Sequence, residues 1–521
     1  MDSFVQLLGG SIRGILSGFD RLRLRGTKRL LASTRGLVSY LWQRRILWKD
    51  FPDHAEAVTQ ALRQATEAQT AAAERPLVYV PSAASDKEAL AKQIAKRDGI
   101  RSGLVCVLSS VEVCSSFVLY RNRGTRQVEL RPQSRKCLHY YHYRIDPEWG
   151  WCHVRVQTWF PFTLHVVVNG REWLSRQLQT AGIAYERRDN CFVDVADMTQ
   201  AQRLLDHQLR TDWPAKLNTL AAQAFPIEKT AFATCPVPYY WSADQSEWAT
   251  DVLFQTPAEL AQWYPRWVQH SLLHLHSGDV LRFLGKRLNS PGERFRRGES
   301  EVTSDLKERF EGVRVKHRIN GNSVKMYDKQ GSVLRIETTI NEPRDLKVYR
   351  PKEGDEAGTK DWRPLRKGIA DLHRRAEVSQ QANDRYLQSL ATVEATTPLG
   401  ELLAPLGKPV AWHGRRVRAL NPLVGEDARL LATIARGEFL LQGFRNRDLQ
   451  PLLFDKPPKD AAACRSRSAA VTRKLRLLRA HGLIRKLPRS HRYVVTTRGQ
   501  TVLTTLVAAR QANAAKLTAA A

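Results

Sequence analysis

One stretch of the sequence gathers residue types that can act on a phosphodiester. It spans residues 322–341 and reads NSVKMYDKQGSVLRIETTIN, with Gly331 at a turn between two runs of strand length. Period-two alternation puts its charged and phenolic side chains on one face of each run. A tyrosine can attack phosphorus when a cation lowers its pKa and carboxylates hold a metal on the phosphate. The residues on these faces are Lys325, Tyr327, Lys329, Arg335 and Glu337.

These types predict a catalytic site with assigned roles. Tyr327 is the predicted nucleophile, with Lys325 and Lys329 steadying the phosphate. Mg²⁺ or Mn²⁺ is the expected cofactor, because both ions prefer oxygen ligands. The predicted metal ligands are Asp251, Glu337 and Asp328. The alternative is a solvated hairpin, or an edge that contacts phosphate without doing chemistry.

A second acidic segment, DQSEWATD, supplies Asp251 and permits two structures. Asp244, Glu247 and Asp251 are spaced three and four apart, so they share a face in a helix. In a strand, only Asp251 stays near the sheet, where it can combine with Glu337. Helix capping and charge patterning alone also account for these carboxylates.

The stretch 322–341 is similar to the tyrosine-containing strand pair of plasmid and phage rolling-circle replication initiators. In those proteins a YDK or YNK is followed by a strand that bears Arg-x-Glu. The resemblance implies a DNA nickase of mobile-element type, either a replication initiator or a transposase-like enzyme. The matching residues are Tyr327, Asp328, Lys329, Arg335 and Glu337.

The charge of the chain predicts a nucleic-acid partner. Its 521 residues include 82 Lys and Arg against 52 Asp and Glu, a formal net charge of +30 that is dispersed along the sequence. Neutralising a row of phosphates uses such an excess. DNA is the expected partner, and RNA is possible for the N-terminal half. The sequence has no glycine-rich phosphate loop, which argues against an NTPase.

Cysteine usage and the N-terminus bear on the compartment. Seven cysteines are scattered along the chain, unlike the framework of a secreted disulfide-rich protein. Charges interrupt the apolar residues near the N-terminus before they reach membrane-spanning length. We therefore expect a cytoplasmic protein without a membrane partner.

The periodicities predict an α+β multidomain fold with a helical N-terminus, antiparallel sheets carrying helices on one face, and a C-terminal winged helix. The expected units are listed in chain order. They are a basic helical segment at 1–75, an α+β domain with an aromatic and basic sheet at 76–225, an α+β domain with the candidate hairpin at 236–350, a linker and helical connector at 351–424, and a winged helix-turn-helix at 425–510.

The C-terminal region shows three helical patterns followed by a basic hairpin. Val471, Leu475 and Leu478 form an apolar face on the third pattern and leave its cations free. TRKLRLLRAHGLIRKLPRSHRYVVTTRG resembles the recognition helix and wing of winged-helix transcription regulators. The apolar face leaves Arg467 and Lys474 free to contact DNA, and the resemblance implies contacts from Ser468, Thr472, Arg473, Arg476, Arg485, Lys486, Arg489, His491 and Arg492. A winged helix used only for protein contacts is the alternative.

An aromatic and basic cluster at 136–160 favours base stacking on a sheet, as in proteins that bind single strands or RNA. Arg144 and Arg155 are its predicted nucleic-acid contacts. The leading hypothesis is thus a DNA nickase that uses metal-assisted tyrosine attack. The alternatives are a non-catalytic DNA or RNA binder and a metal-dependent nuclease that uses water.

Overall fold

The computed structural model describes residues 2–124, 126–275, 277–285, 302–309, 312–352, 358–391, 399–436, 439, 443–454, 456–488 and 490–511. These residues form a mixed α+β structure, so the predicted α+β class is confirmed. Across the described ranges, none of the helices combines the length and the apolar character needed to cross a bilayer.

The architecture centres on one sheet of eleven strands, in the order β10-β11-β12-β13-β9-β1-β6-β5-β4-β3-β2. Among these described strands, only β2 and β3 pair in parallel. Strands β7 and β8 form a separate hairpin. The bounds are β1 Ile12–Lys28, β2 Leu77–Tyr79, β3 Gly103–Arg121, β4 Val128–Asp146, β5 Gly150–Gln157, β6 Leu164–Asn169, β7 Tyr185–Arg188, β8 Cys191–Val195, β9 Tyr239–Phe254, β10 Thr303–Arg309, β11 Gly312–Ile319, β12 Asn322–Lys329 and β13 Val333–Ile340.

The central strand β1 corrects the prediction of an entirely helical segment at 1–75. It pairs with β6 on one side and β9 on the other, and so joins strands from both predicted α+β domains. Leu22 and Leu24 are fully buried, whereas Arg23 and Arg25 are exposed. This strict alternation over RLRLR is the signature of a half-buried strand, and burial of its apolar face outweighs the helical propensity nearby.

The helices that cover the sheet begin and end as follows. They are α1 Asp2–Leu8, α2 Thr34–Gln43, α3 Phe51–Ala72, α4 Lys87–Arg97, α5 Gly170–Thr180, α6 Met198–Gln208, α7 Trp213–Ala224, α8 Glu228–Ala231, α9 Pro257–Leu273, α10 Ser277–Phe283 and α11 Leu372–Leu390.

Helices cover both faces of the sheet, so the prediction of helices on one face is wrong. On one face, Asn383 of α11 donates a hydrogen bond to Thr250 of β9. On the other face, α6 lies so close to β1 that a Cβ at Gly14 or Gly18 would clash with its side chains. The α6 face is called the polar face below, because the charged side chains of β9, β12 and β13 lie on it.

The C-terminal region has its own hydrophobic core, which includes Val471, Leu475 and Leu478. The predicted apolar face of the third helix is therefore confirmed. The small hairpin β14–β15, Lys347–Arg350 and Asp361–Pro364, precedes the region. Its elements are α12 Leu399–Leu403, β16 Val410–Trp412, β17 Arg415–Val417, α13 Gly425–Ile434, β18 Phe444–Arg445, α14 Asn446–Leu453, α15 Ala461–Ala480, β19 Ile484–Lys486, β20 Arg492–Val495 and α16 Thr497–Gln511.

Buried neutral histidines predict acid lability. His142 is fully buried, none of the described residues bonds either ring nitrogen, and burial lowers its pKa to about 3. Below pH 6.5 the unfolded state binds a proton that the folded state does not, so acid favours unfolding. As the pH falls from the unfolded-state pKa of such a histidine towards its folded-state pKa, the free energy of unfolding should fall by about 1.4 kcal/mol per pH unit. Burial also lowers the pKa values of His139, His153, His165, His270 and His317.

We expect the urea midpoint to drop between pH 7 and pH 5, and His142→Leu to reduce that drop. Replacing the exposed His373 by leucine is the control and should leave the drop unchanged. An identical pH dependence in wild type and His142→Leu would contradict this prediction.

Candidate metal and nucleic-acid site

The predicted hairpin at 322–341 is confirmed, but it lies inside the sheet. Strand β12 pairs with β11 and β13, and β13 pairs with β9, so neither strand is an edge. Lys325 lies opposite Glu337, and Tyr327 lies opposite Arg335. All four side chains are buried, which rules out the alternative of a solvated hairpin.

Arg335 anchors a buried ionic network on the polar face. Its Nε and Nη2 donate to the two carboxylate oxygens of Asp251 at 2.6 and 2.9 Å, and its Nη1 donates to Asp20 at 3.1 Å. Arg171 of α5 also contacts Asp251, at 3.0 Å. The carboxyl group of Asp251 is fully buried; burial acts to raise its pKa, but Arg335 and Arg171 hold the pKa below the ordinary value. Asp251 is thereby committed to two guanidinium groups.

Asp20 of this network also belongs to a cluster of three carboxylates. Asp20, Glu247 and Glu337 each offer an oxygen within 4.8 Å of the other two. They come from the neighbouring strands β1, β9 and β13. A bulge in β1 between Phe19 and Leu22 accompanies the placement of Asp20. We call these three residues the carboxylate trio.

Lys325 balances part of the negative charge of the trio. Its Nζ lies 2.5 Å from Glu337 and 3.3 Å from Glu247. Burial acts to raise the pKa of Glu337, but Lys325 and Arg335 outweigh it and hold the pKa below its usual value. Burial, followed by the charge of Glu337, raises the pKa of Glu247 to about 7. Burial also raises the pKa of Asp20, although Arg335 opposes it.

The donor set of the trio suits a hard divalent cation. Carboxylate oxygens are the ligands that Mg²⁺ and Mn²⁺ prefer, and such ions need few protein ligands because water completes their coordination. Thr339, opposite Glu247 on the same face, has a buried hydroxyl that finds no hydrogen-bond partner among the described residues. An unpartnered oxygen beside three carboxylates is a further group that a hydrated cation can satisfy.

The structure places the three predicted metal ligands in different surroundings. Glu337 belongs to the trio, whereas Asp251 is held by arginines. Asp328 follows Tyr327 and lies on the opposite face, where its charge acts on Tyr264 of α9. The helical interpretation of DQSEWATD is wrong, because the segment lies within strand β9.

Tyr327 lies near the trio but is only 6 % exposed. Burial, followed by Glu337, raises its pKa above the ordinary value, while Lys325 and Arg314 oppose that shift. The ammonium group of Lys329 lies 5.3 Å from the centre of the Tyr327 ring. Lys329 also donates to the side chain of Asn190, in the β7–β8 turn. The predicted catalytic residues therefore share one face with Glu337.

Sequence reasoning missed Asp20 and did not select Glu247 as a ligand. Asp20 lies in the segment 1–75, which is predicted to be helical, and only the RLRLR alternation that follows it indicates a strand. Glu247 shares a face with Asp244 and Asp251 only in the helical prediction for its segment. Once both segments are strands, their pairing brings the two carboxylates to Glu337.

Two neighbouring clefts open on the polar face beside the trio. The first has a volume of about 420 Å³, and Asp20 and Glu247 line it. The second has a volume of about 540 Å³ and contains Arg23, Arg25 and Arg155. Burial, then the charges of Arg21 and Arg155, lowers the pKa of Arg23. Arg25 pairs with Asp244 at 2.8 Å and Arg155 pairs with Glu112 at 3.3 Å, so an anion in the second cleft would stabilise the charge of Arg23 most directly.

The cations of the polar face continue onto β11, at the far side of the trio. The register aligns Lys316 with Lys325 and Arg318 with Ser323. Arg318 is exposed and Lys316 is half-buried. The trio therefore lies between two groups of cations on one sheet face.

The two predicted arginines of the aromatic cluster lie apart. Arg155 pairs in register with Tyr141 and His165 on the polar face. Arg144 pairs with Cys152 and points to the other face, because side chains alternate along β4. The structure thus places Arg155, but not Arg144, on the sheet face that carries the trio.

Some of the predicted DNA contacts of the C-terminal region are exposed, and others have partners within the chain. Arg473 and Thr472 of α15 are exposed, as are the hairpin residues Arg485, Lys486 and His491. The exposed Arg476 lies over the ring of Trp412. The others have partners within the chain or lie outside the described residues. Arg467 bonds the carbonyl of Lys456, Ser468 and Thr472 contact Asn446, Lys474 pairs with Glu426, Arg492 stacks on Tyr349, and Arg489 is not among the described residues.

Comparison with known proteins identifies no relative: no protein-family model matches the chain, and neither the curated proteins nor the solved structures contain a significant match.

Proposed function

We propose that this protein binds nucleic acid across the polar face and cleaves a phosphodiester there with a divalent cation held by the carboxylate trio. The observation that carries the proposal is the position of the trio between two groups of cations on a single sheet face. Cations on both sides can hold the phosphates that flank a scissile bond. Mg²⁺ or Mn²⁺ bound by the trio would polarise that bond and lower the pKa of a water.

The residues of the chain supply the remaining functions. Arg23 and Arg25 bind phosphates on one side of the trio, and Arg318 binds them on the other. Lys325 contacts Glu337 and Glu247; a cation bound by these carboxylates would replace that contact, and the ammonium group of Lys325 would then be available to the phosphate. Asn190 keeps the carboxylate of Asp20 in place through hydrogen bonds of 3.1 and 3.0 Å to its two oxygens.

Water is the nucleophile that we propose. Burial and the charge of Glu337 raise the pKa of Tyr327, which opposes formation of the phenolate. The tyrosine attack of the rolling-circle hypothesis stays a prediction, and its mark is a covalent protein–DNA adduct. Replication initiation or transposition by such a nickase is the corresponding biological role.

The C-terminal region supports binding rather than cleavage in this proposal. We propose that α13, α14 and α15, with the β19–β20 hairpin, act as a winged helix on duplex DNA. The exposed cations of α15 and of the hairpin support this function. A winged helix commonly places such a helix in the major groove and its hairpin along the backbone.

A non-catalytic nucleic-acid binder is the second candidate. The observation that favours it is Lys325, which already neutralises two of the three carboxylates at 2.5 and 3.3 Å. In such a protein the trio only joins strands β1, β9 and β13. Both candidates use the same cations to bind the nucleic acid.

The test is incubation of the full chain with labelled single-stranded and supercoiled DNA and with Mg²⁺ or Mn²⁺, followed by a denaturing gel. Cleavage that needs the metal supports the proposal. Intact DNA together with a retarded band on a native gel supports the second candidate. If the DNA is neither cleaved nor retarded, both candidate functions are overturned.

Replacing Tyr327 by phenylalanine separates the two nucleophiles. Under water attack we expect Tyr327→Phe to retain cleavage within about threefold, since the lost hydroxyl takes no part in the reaction. The denaturing gel should show no covalent adduct for either protein. An adduct in wild type that disappears in Tyr327→Phe would contradict water attack and establish the tyrosine.

The arginines of the second cleft should set the salt dependence of binding. We expect the double variant Arg23→Ala/Arg25→Ala to reduce the slope of log Kd against log salt by about two, because each phosphate contact contributes about one. The measurement is fluorescence anisotropy of labelled DNA at several salt concentrations. Arg97→Ala, on the exposed end of α4, is the control, and an unchanged slope in the double variant would contradict the assignment.

A further inference from the structure

The cleft of about 420 Å³ beside the trio has an aromatic floor. Trp151 and His153 of β5 line it, next to Asp20 and Glu247. The Trp151 and Tyr143 rings lie 5.8 Å apart, and the Tyr143 and His153 rings lie 5.0 Å apart. Three aromatic rings thus follow one another across the sheet next to the carboxylates.

The aromatic row continues into the second cleft. Tyr141 lies 6.1 Å from His153, and both residues line the cleft that holds Arg23, Arg25 and Arg155. Tyr143 is buried beneath its neighbours, whereas Trp151, His153 and Tyr141 are half-buried and line the clefts. A row of stacking surfaces beside arginines is the arrangement used by proteins that bind single strands.

The walls of the first cleft neutralise their own charges. Lys92 pairs with Glu88 on α4 at 3.0 Å, and Arg187 pairs with Glu172. Burial, followed by the charges of Arg21 and Arg23, lowers the pKa of His153 to about 3, so its ring is neutral at physiological pH. The floor therefore offers uncharged aromatic surface, and the walls offer polar groups at its rim.

The Trp151 indole also has an unused donor. Its Nε1 is buried and has no hydrogen-bond partner in the part of the chain that the structure describes, although its ring borders the cleft. The cleft volume lies in the range of small-molecule sites, roughly 300–1,000 Å³. A heterocycle of nucleobase size fits within this volume.

We propose that this cleft binds an unpaired nucleobase, stacked on Trp151 and His153, from the nucleotide whose phosphate lies at the trio. The inference rests on the proposed function and gives its substrate class: a single strand. Arg23 and Arg25 hold the backbone as it leaves the cleft. Stacking makes the site tolerant of base identity, because every base has an aromatic face.

The experiment measures binding of the full chain to a fluorescein-labelled oligothymidine and to the same strand in a duplex. We expect Trp151→Leu to weaken binding of the single strand roughly tenfold, as loss of one base stack does, and to change duplex binding by less than about twofold. Trp151→Phe, which keeps a stacking ring, should restore most of the affinity. Trp42→Leu is the control, since Trp42 is 80 % exposed on α2.

Wild-type affinity of Trp151→Leu for the single strand would overturn the inference, as would equal losses for single strand and duplex. Circular dichroism and the thermal midpoint check that each variant is folded. If Trp151→Leu is not folded, the single-strand affinities of Trp151→Phe and His153→Leu are compared instead. Weaker binding only in His153→Leu supports stacking, and equal binding by the two variants overturns it. Failure of the wild type to bind either probe would instead overturn the proposed function.

Discussion

Replacing Glu247 by glutamine, or Asp20 by asparagine, should abolish metal-dependent cleavage and leave nucleic-acid binding intact. Each substitution removes a charged oxygen ligand from the trio while nearly preserving side-chain volume. We expect a loss of about 100-fold or more in cleavage rate, because the cation supplies most of the charge stabilisation in such reactions. The measurement is a time course of cleavage of labelled DNA at several Mn²⁺ concentrations.

Binding should be unchanged or tighter in both variants, because a negative charge is lost near the phosphates. Asp194→Asn is the matched control, since Asp194 is an exposed carboxylate that pairs with Arg13 away from the trio. Full cleavage activity in both trio variants would show that the trio holds no catalytic cation.

Breaking the contact between Arg335 and Asp251 should cause the largest loss of stability. Both side chains are fully buried, and two hydrogen bonds join them. Arg335→Ala leaves the buried carboxylates of Asp251 and Asp20 short of a partner, and removing one member of a buried pair typically costs about 3–5 kcal/mol. We expect this loss in the free energy of unfolding measured by urea denaturation.

A double variant distinguishes the lost charge pair from lost packing. Arg335→Met/Asp251→Leu removes both charges and retains apolar volume, so it should recover part of the stability lost in Arg335→Ala. Arg97→Ala, in an exposed pair with Asp98, should leave the midpoint unchanged. A wild-type midpoint in Arg335→Ala would mean that the network does not stabilise the fold.

The local patterns of the sequence were sufficient for much of the secondary structure. The hairpin at 322–341, helix α15 and its apolar face all follow from periodicity and turn residues. Short-range patterns of this kind depend on neighbours that the sequence displays directly. They do not fix which strands pair across long separations.

The site depended on those long-range pairings. Asp20 reaches Glu337 only because β1 and β13 both pair with β9, which joins residues more than three hundred positions apart. The sequence offered Asp251 as an equally plausible ligand, and only the pairing with Arg335 shows that its carboxylate is already engaged. The same pairing turned a predicted edge into the interior of a sheet.

The aromatic cluster shows the same limit. Alternation predicts that half of its side chains point to each face, but not which face is open. The structure buries Tyr140 and Trp149 in hydrophobic cores and leaves Trp151 and Tyr141 beside the clefts. Arg144 and Arg155 separate for the same reason.

The most direct test of the account is a crystal structure of the protein with Mn²⁺ and a short DNA strand, with an anomalous difference map. We predict a manganese peak about 2.2 Å from oxygens of at least two members of the trio, with DNA phosphates against Arg23 and Arg25. DNA bound away from the polar face, with no manganese at the trio, would contradict it.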